Sequence, residues 1–258
     1  MPGRMAGRAA LITGGGGGIG AATGRLFAEE GAAVALVDTG RAAVDAAAAA
    51  IRSEVPDSRI LPLVADLSQE SEARRAVDEA VRGLGALHTL VNVAGVRVYT
   101  SLAEADAKDW QLILGVNVLA TAFCVKAALP ALRASGRGTI VNVSSVYGVM
   151  GRAGMGQYDT TKAAVLGFTR ALAVEEAPHG IRVNVVCPGG TITPYHIQRA
   201  ESRGVSETEL SAQRSSDNLL GRWAEPREVA HPILFLASDD SSFITGTTLM
   251  VDAGRSIL

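Results

Sequence analysis

Short apolar runs alternate with amphipathic stretches along nearly the whole chain. Ala9 to Ile12, Ala33 to Val37, Ile60 to Val64, Leu87 to Val91, Thr139 to Val143, Ile181 to Val186 and Thr247 to Val251 predict buried strands. Pro62 weakens the third of these, because proline cannot donate to a sheet ladder. Between them, Ala21 to Glu30, Arg41 to Glu54, Ser68 to Arg82, Asp109 to Arg133, Tyr158 to Glu176 and Pro226 to Leu236 carry helical patterns. Gly31, Pro56-Asp57 and the Pro178/Gly180 pair supply stops, Ser68 is the expected N-cap of its helix, and Pro226 suits a first turn. Strictly alternating strands and helices, without linker or repeat, predict an α/β fold. The expected form is a doubly wound parallel sheet of about seven strands with helices on both faces, in one domain over 1–258. The stretch 195–221 departs from this rhythm. It is polar and charged and has no strand, and is expected to form a lid over the open end of the sheet.

Composition narrows the functions available. Lys plus Arg (24) nearly balance Asp plus Glu (26), leaving −2, so no basic field points to nucleic acid. At 48% hydrophobic residues the chain can fill a large core. Cys124 and Cys187 lack paired spacing and sit in apolar surroundings, the pattern of reduced core thiols in a cytoplasmic protein. The N-terminus has no apolar signal core, and no apolar run is read as long enough to span a membrane. His88, His179, His196 and His231 are scattered, so no metal site is expected.

Two stretches carry candidate chemistry. Five glycines, Gly14 to Gly18, follow the first strand and lead through Ile19-Gly20 into a helix. Strand, glycine turn and helix together form the setting in which a pyrophosphate approaches a helix N-terminus. Three glycine spacings fit: Gly15/Gly17/Gly20, Gly14/Gly18/Gly20 and Gly14/Gly17/Gly20. Asp38 ends the second strand about 20 residues past the glycine turn, where an acid accepts from adenine-ribose hydroxyls and repels a 2′-phosphate. As a helix follows, Asp38 also suits an N-cap. Gly17 stands where an arginine could hold that phosphate, and Arg41 lies three residues beyond Asp38; NAD is favoured over NADP.

The second stretch is Tyr158 and Lys162, one helical turn apart on one face. A free phenol gives up its proton only near pH 10, and a neighbouring ammonium favours the phenolate. Such a pair can exchange a proton with an alcohol or carbonyl oxygen. Asn117 interrupts an apolar run and needs partners if buried.

Taken in order, Thr13-Gly14…Gly18-Ile19-Gly20, Asp38, Asp66-Leu67, Asn92-Val93-Ala94-Gly95, Asn117, Ser144-Ser145, Tyr158…Lys162, Pro188-Gly189 through Thr193 and Val251-Asp252-Ala253-Gly254 resemble the short-chain dehydrogenase/reductase family across nearly the whole chain. The resemblance implies a Rossmann-type fold and selects Gly14, Gly18 and Gly20 as the matching glycines. It implies Tyr158 as proton donor and acceptor and Lys162 as the cation beside it that also holds the nicotinamide ribose. Ser145 would orient the substrate oxygen, with Ser144 structural, and Asn117 would shape its helix and hold a water for proton relay. It further implies cofactor contacts from Gly14, Gly17, Gly18, Ile19, Gly20, Asp38, Asp66, Leu67, Asn92, Ala94, Gly95, Tyr158, Lys162, Pro188, Gly189, Thr191 and Thr193. Val93 and Thr191 depart from the family pattern without removing a catalytic group. The implied reaction joins NAD to a small secondary alcohol or ketone, in a homo-oligomer, with a tetramer favoured. An NADPH-dependent 3-oxoacyl ketoreductase and a non-catalytic nucleotide-binding regulator are the alternatives. Val96 to Ser101, Val146 to Arg152 and the lid are the expected pocket walls. Within them Val149, Met150 and Tyr195 mix with Arg97, Arg152 and His196, and Arg152 or His196 could grip an anionic or polyhydroxy substrate.

Overall fold

The computed structural model describes residues 3–212 and 216–258. Seven parallel strands form one sheet in the order β3-β2-β1-β4-β5-β6-β7. They are β1 (Ala9–Thr13), β2 (Ala33–Asp38), β3 (Ile60–Val64), β4 (Thr89–Asn92), β5 (Thr139–Val143), β6 (Arg182–Pro188) and β7 (Thr248–Val251). The helices between them are α1 (Gly18–Glu29), α2 (Arg41–Glu54), α3 (Glu70–Leu84), α4 (Ala107–Leu114), α5 (Ala120–Ala134), α6 (Gly156–Glu176), α7 (Pro194–Glu201), α8 (Glu207–Ala212) and α9 (Pro226–Ala237).

Strand alternation decides which helix each face receives. On β1, Ala9 and Leu11 point into a core shared with α3, α5 and α6, while Ala10 and Ile12 point into the opposite core, shared with α1, α2 and α9. Each strand is thus covered on both faces, which is why the strands read as continuous apolar runs. The chain builds outward from β1 through β2 to β3, then returns to β4 beside β1. That reversal opens a crevice beyond the carboxyl ends of β1 and β4.

Local signals account for most helix ends, with some corrections. Ser68 does not cap α3; its N–H and hydroxyl both bond to Asp66 Oδ1, and Gln69 holds the cap position. Glu225 at the N-cap and Glu228 at the third helical position form a capping box across Pro226 at the start of α9, with Glu225 N donating to Glu228 Oε2 at 2.8 Å. The stretch 109–133 becomes one longer helical run, Ala107–Ala134, because a π-turn over Gly115–Leu119 joins α4 to α5 without a break. That run is long and apolar enough to cross a membrane by length and composition, which corrects the sequence expectation. Here Ala120, Thr121, Cys124, Val125, Ala128 and Leu132 of its α5 part are buried in the domain. Cys124 and Cys187 are free and buried.

The stretch 195–221 holds most of α7 and all of α8, and residues 213–215 lie outside the described residues. Tyr195 on α7 donates its hydroxyl to Tyr99 Oη at 2.9 Å, joining this segment to the loop after β4.

Candidate active site

The first part of the site is the turn between β1 and α1. Thr13 Oγ1 accepts from the N–H groups of Val93 (3.0 Å) and Ala94 (3.1 Å), so the ends of β1 and β4 are held together. Gly14 and Gly18 have φ of +65° and +34°, which a side chain would strain. A Cβ at Gly20 would lie 2.1 Å from Gly14 O, so that position needs glycine for close packing. Gly17 is extended, and a Cβ there meets nothing within 4 Å. Gly15 is tight as well, with a Cβ there 2.7 Å from Leu36 Cβ, but both spacings that use the unconstrained Gly17 lose their support, which leaves Gly14, Gly18 and Gly20.

Asp38 closes this end. Its Oδ2 accepts from Gly16 N at 3.0 Å and its Oδ1 from Gly40 N at 3.2 Å. Gly40 occupies the N-cap of α2, so Asp38 is not that cap. Each carboxylate oxygen keeps a lone pair for another donor. Asp38 lines a cavity of about 190 Å³ together with Gly14, Asp66, Leu67, Ala94, Gly95 and Val96. Gly95 and Val96 also line a second cavity, of about 420 Å³, that contains Ser145, Tyr158 and Lys162. The two form one groove from Asp38 to Tyr158. Its glycine cradle and its acid at one end fit a dinucleotide.

Three buried side chains define the far end. Ser145 follows β5 and accepts from Tyr147 N at 3.2 Å, leaving its hydroxyl proton free to donate. Tyr158 and Lys162 project from α6, and Lys162 Nζ lies 5.7 Å from the Tyr158 ring centre. One Lys162 proton goes to Val143 O at 3.0 Å, leaving two donors on the ammonium. Burial pushes the Lys162 ammonium below its ordinary range; nearby Tyr158 opposes this and Arg97 adds to it. Ser144 also lines the larger cavity, and its hydroxyl donates to Lys162 O at 2.7 Å, which is a structural role. Gly148 makes that contact possible, since a Cβ there would lie 2.7 Å from Ser144 Oγ and 2.9 Å from Lys162 O.

Asn117 sits in the π-turn with both of its amide protons donated. Its Oδ1 accepts from Val96 N (2.7 Å), and its Nδ2 donates to Val96 O and to Thr161 Oγ1 (both 3.0 Å). It acts as a positioning residue, fixing Val96 on the groove wall and the first turns of α6. Its Oδ1 and Lys162 Nζ converge on Gly95, where a Cβ would lie 3.3 and 3.4 Å from them.

Two guanidinium groups flank Tyr158, each with its carbon 5.3 Å from the ring centre. Arg97 Nη1 lies 2.7 Å from His196 Nε2. Arg152 stacks 3.6 Å from the Tyr147 ring centre, and its Nε is 3.3 Å from Asp159 Oδ1. Burial lowers the Arg97 pKa, but Tyr158 first, then Tyr99 and Tyr195, outweigh it and hold the guanidinium charged. Burial, followed by Arg97, pushes His196 down to about 4, with the backbone of Thr191 working the other way.

Most residues expected at the site line this groove: Ile19, Pro188, Gly189, Thr191 and Thr193 join Ser145, Tyr158 and Lys162 on the walls of the larger cavity. Gly17, Gly18, Gly20, Asn92 and Asn117 line neither of its two cavities. Asn92 bonds within the sheet instead. Its amide donates to Asn142 Oδ1 at 2.9 Å between β4 and β5, because their register sets the two residues side by side. Val149 also falls outside the groove and is exposed. The walls instead gain Leu112, from the start of the long helix. Among the described residues no cluster of three or more His, Cys, Asp or Glu is placed to hold a metal.

Residues 15–256 match a family model described as enoyl-(acyl carrier protein) reductase. The chain is 37% identical over 257 residues to 2,5-dichloro-2,5-cyclohexadiene-1,4-diol dehydrogenase LinX of Sphingobium indicum, covering 100% of this chain and 99% of that protein. It is 38% identical over 253 residues to meso-2,3-butanediol dehydrogenase of Serratia marcescens, covering 98% and 96%. The crystal structure of carveol dehydrogenase from Mycobacterium avium in complex with NAD superposes with a TM-score of 0.91 at 29% identity, covering 99% of this chain and 100% of that one.

Proposed function

Because the chain belongs to the short-chain dehydrogenase/reductase family, and is an NAD(P)-dependent oxidoreductase acting on CH–OH groups, we propose that it uses NAD and interconverts a small secondary alcohol and its ketone. The observation carrying this reading is one continuous groove with Asp38 at one end and Ser145, Tyr158 and Lys162 at the other. When bound there, the nicotinamide ring supplies the hydride acceptor or donor.

The chain's own residues do the remainder. Ser145 donates its free proton to the substrate oxygen and fixes the carbinol. Tyr158 takes the hydroxyl proton as the carbonyl forms and returns it in the reverse direction. Lys162 stands behind Tyr158 as a cation with two donors left, which favours negative charge on the phenol oxygen and reaches toward a ribose. Burial of all three excludes bulk water and strengthens their interactions. Asp38 accepts from the adenine-side ribose, and its charge disfavours a 2′-phosphate. The free Cβ space at Gly17 holds no cation to offset that charge. The described residues of 195–221 that carry α7 and α8 serve as the lid, latched by Tyr195 and Tyr99.

Both relatives named above are diol dehydrogenases, which favours a substrate with a second polar group near the carbinol. Homo-oligomer formation belongs to the same reading. Ala163, Ala164 and Ala171 of α6 face outward, whereas Ala173 is in the core, and Val174 and Phe243 are exposed apolar side chains. The direct test pairs NAD or NADP with a panel of secondary alcohols and follows reduced-nicotinamide absorbance. NAD-linked oxidation is expected, and turnover with NADP alone would overturn the cofactor assignment.

A further inference from the structure

The groove does not end at Ser145. A smaller cavity of about 110 Å³ adjoins it and shares Arg97, Ser145, Gly189 and His196 with the larger one. Its other walls include Arg152, Trp223 and Arg255. At ~30 Å³ per water, this is room for a short arm of a substrate rather than a whole one.

Its chemistry is rich in donors. Arg152 Nη2 and Arg255 Nε are buried without a hydrogen bond, and Arg152 Nε meets Asp159 at ion-pair distance without hydrogen-bond geometry. Among the described residues Arg97 has no carboxylate at ion-pair distance; its polar contacts are His196 and the Tyr99 hydroxyl, and the Tyr158 and Tyr195 rings lie beside it. Acids are present, but they are engaged. Asp159 pairs with Arg152, Asp217 with Arg255, and Asp252 accepts from Gly254 N and Ser256 N. Asn218 Oδ1 is an unbonded acceptor on the wall. Buried donors left without acceptors are costly, and a guanidinium matches the planar fork of a carboxylate.

We infer that the substrate is a short hydroxy acid, or the matching oxo acid, whose carboxylate enters this compartment and is held by Arg97 with Arg152. Ser145 lines both cavities, so the carbinol at Ser145 and Tyr158 lies within a short chain of the anion. Arg152 is a fixed wall, clamped by Asp159 and stacked on Tyr147. Arg97 carries a charge without a carboxylate of its own and is the specificity-determining residue. The inference rests on the dehydrogenase reading for the position of the carbinol, and on the arginine geometry alone for the anion.

The test uses full-length protein with saturating NAD. Initial rates are measured for short 2- and 3-hydroxycarboxylates and for their methyl esters, in the wild type, Arg97→Gln and Arg97→Lys. Wild type should prefer acid over ester in kcat/KM by about 100-fold, Arg97→Gln should cut that ratio by at least about 30-fold, chiefly through KM, and Arg97→Lys should restore part of it. Calorimetry of butyrate against butyramide supplies a readout without turnover. Butyrate should bind at least about tenfold tighter than butyramide in wild type and lose that margin in Arg97→Gln. Equal use of acid and ester, or a ratio unmoved in Arg97→Gln, overturns the anion site while leaving the dehydrogenase reading intact. Arg97-dependent butyrate binding with no turnover of any alcohol supports the anion site and counts against the dehydrogenase reading instead. Neither turnover nor preference for butyrate sinks both.

Discussion

Arg97 and His196 meet with 2.7 Å between Nη1 and Nε2, and this contact fixes a tautomer. A guanidinium has only donors, so Nε2 must accept and the imidazole proton lies on Nδ1. Nδ1 is 2.9 Å from Thr193 Oγ1, so that hydroxyl accepts and keeps its own proton for a further acceptor. Thr193 lines the groove, where a bound cofactor would supply one. A buried arginine thus orients a threonine through a neutral histidine.

Neutral His196 makes stability depend on pH. Its folded-state pKa, pushed down to about 4 by burial and then by Arg97, lies below the unfolded value near 6.5. Between those values the unfolded chain binds more protons, so stability is full above about pH 6.5 and falls as pH drops toward 4. After allowance for solvent screening, the loss is on the order of 1–2 kcal/mol. Thermal melts from pH 7 to pH 4.5 should show a steeper fall in Tm for wild type than for His196→Gln; parallel curves would remove His196 from the account.

Two glycines in one turn should behave oppositely. Gly20→Ala drives a Cβ to 2.1 Å from Gly14 O. It should destabilise the protein by about 1–3 kcal/mol and weaken cofactor binding. Gly17→Ala enters open space in an extended conformation and should stay within about 0.5 kcal/mol of wild type. Denaturant melts and NAD titrations on both variants check this pair.

Asp38→Ala removes the acceptor of the Gly16 and Gly40 N–H groups and the charge that repels a 2′-phosphate. The NAD-to-NADP ratio of kcat/KM should fall by about 10- to 100-fold, mostly through KM. An unchanged ratio would place cofactor choice elsewhere.

Asn117→Leu strips partners from Val96 N, Val96 O and Thr161 Oγ1 together. The expected cost is about 2–4 kcal/mol, as buried polar groups lose their bonds. A positioning role also predicts a lower kcat, because Thr161 lies on the α6 turn between Tyr158 and Lys162; denaturant melts and initial rates check the two effects.

The fold was legible because its signals are local and repeated. Seven apolar runs and the stops between them mark nearly every element, and the two-sided burial of β1 explains why those runs do not alternate. Tyr158 and Lys162 were legible because one helical turn sets their relation. The partners of Asn92 and Asn117 were not. Asn142 is 50 residues from Asn92, and only strand register places it alongside. The π-turn around Asn117 has no residue pattern distinct from an α-helix. The compartment behind Ser145 was hidden for the same reason. Arg97, Arg152 and Arg255 come from the loop after β4, the segment before α6 and the chain end after β7, and only the folded sheet gathers them. Trp223 carried no signal in the sequence, and Arg255 none beyond its place after Gly254 near the last strand.

The central claim is that the Tyr158 oxygen moves the substrate proton. It is tested most directly by measuring turnover and NAD affinity together in Tyr158→Phe. The variant keeps the ring packed against Val98, Ile113 and Met155 and should retain NAD affinity within about threefold, while kcat falls by about 10²–10⁴-fold. A Tyr158→Phe protein that binds NAD and turns over at a rate near wild type would contradict it.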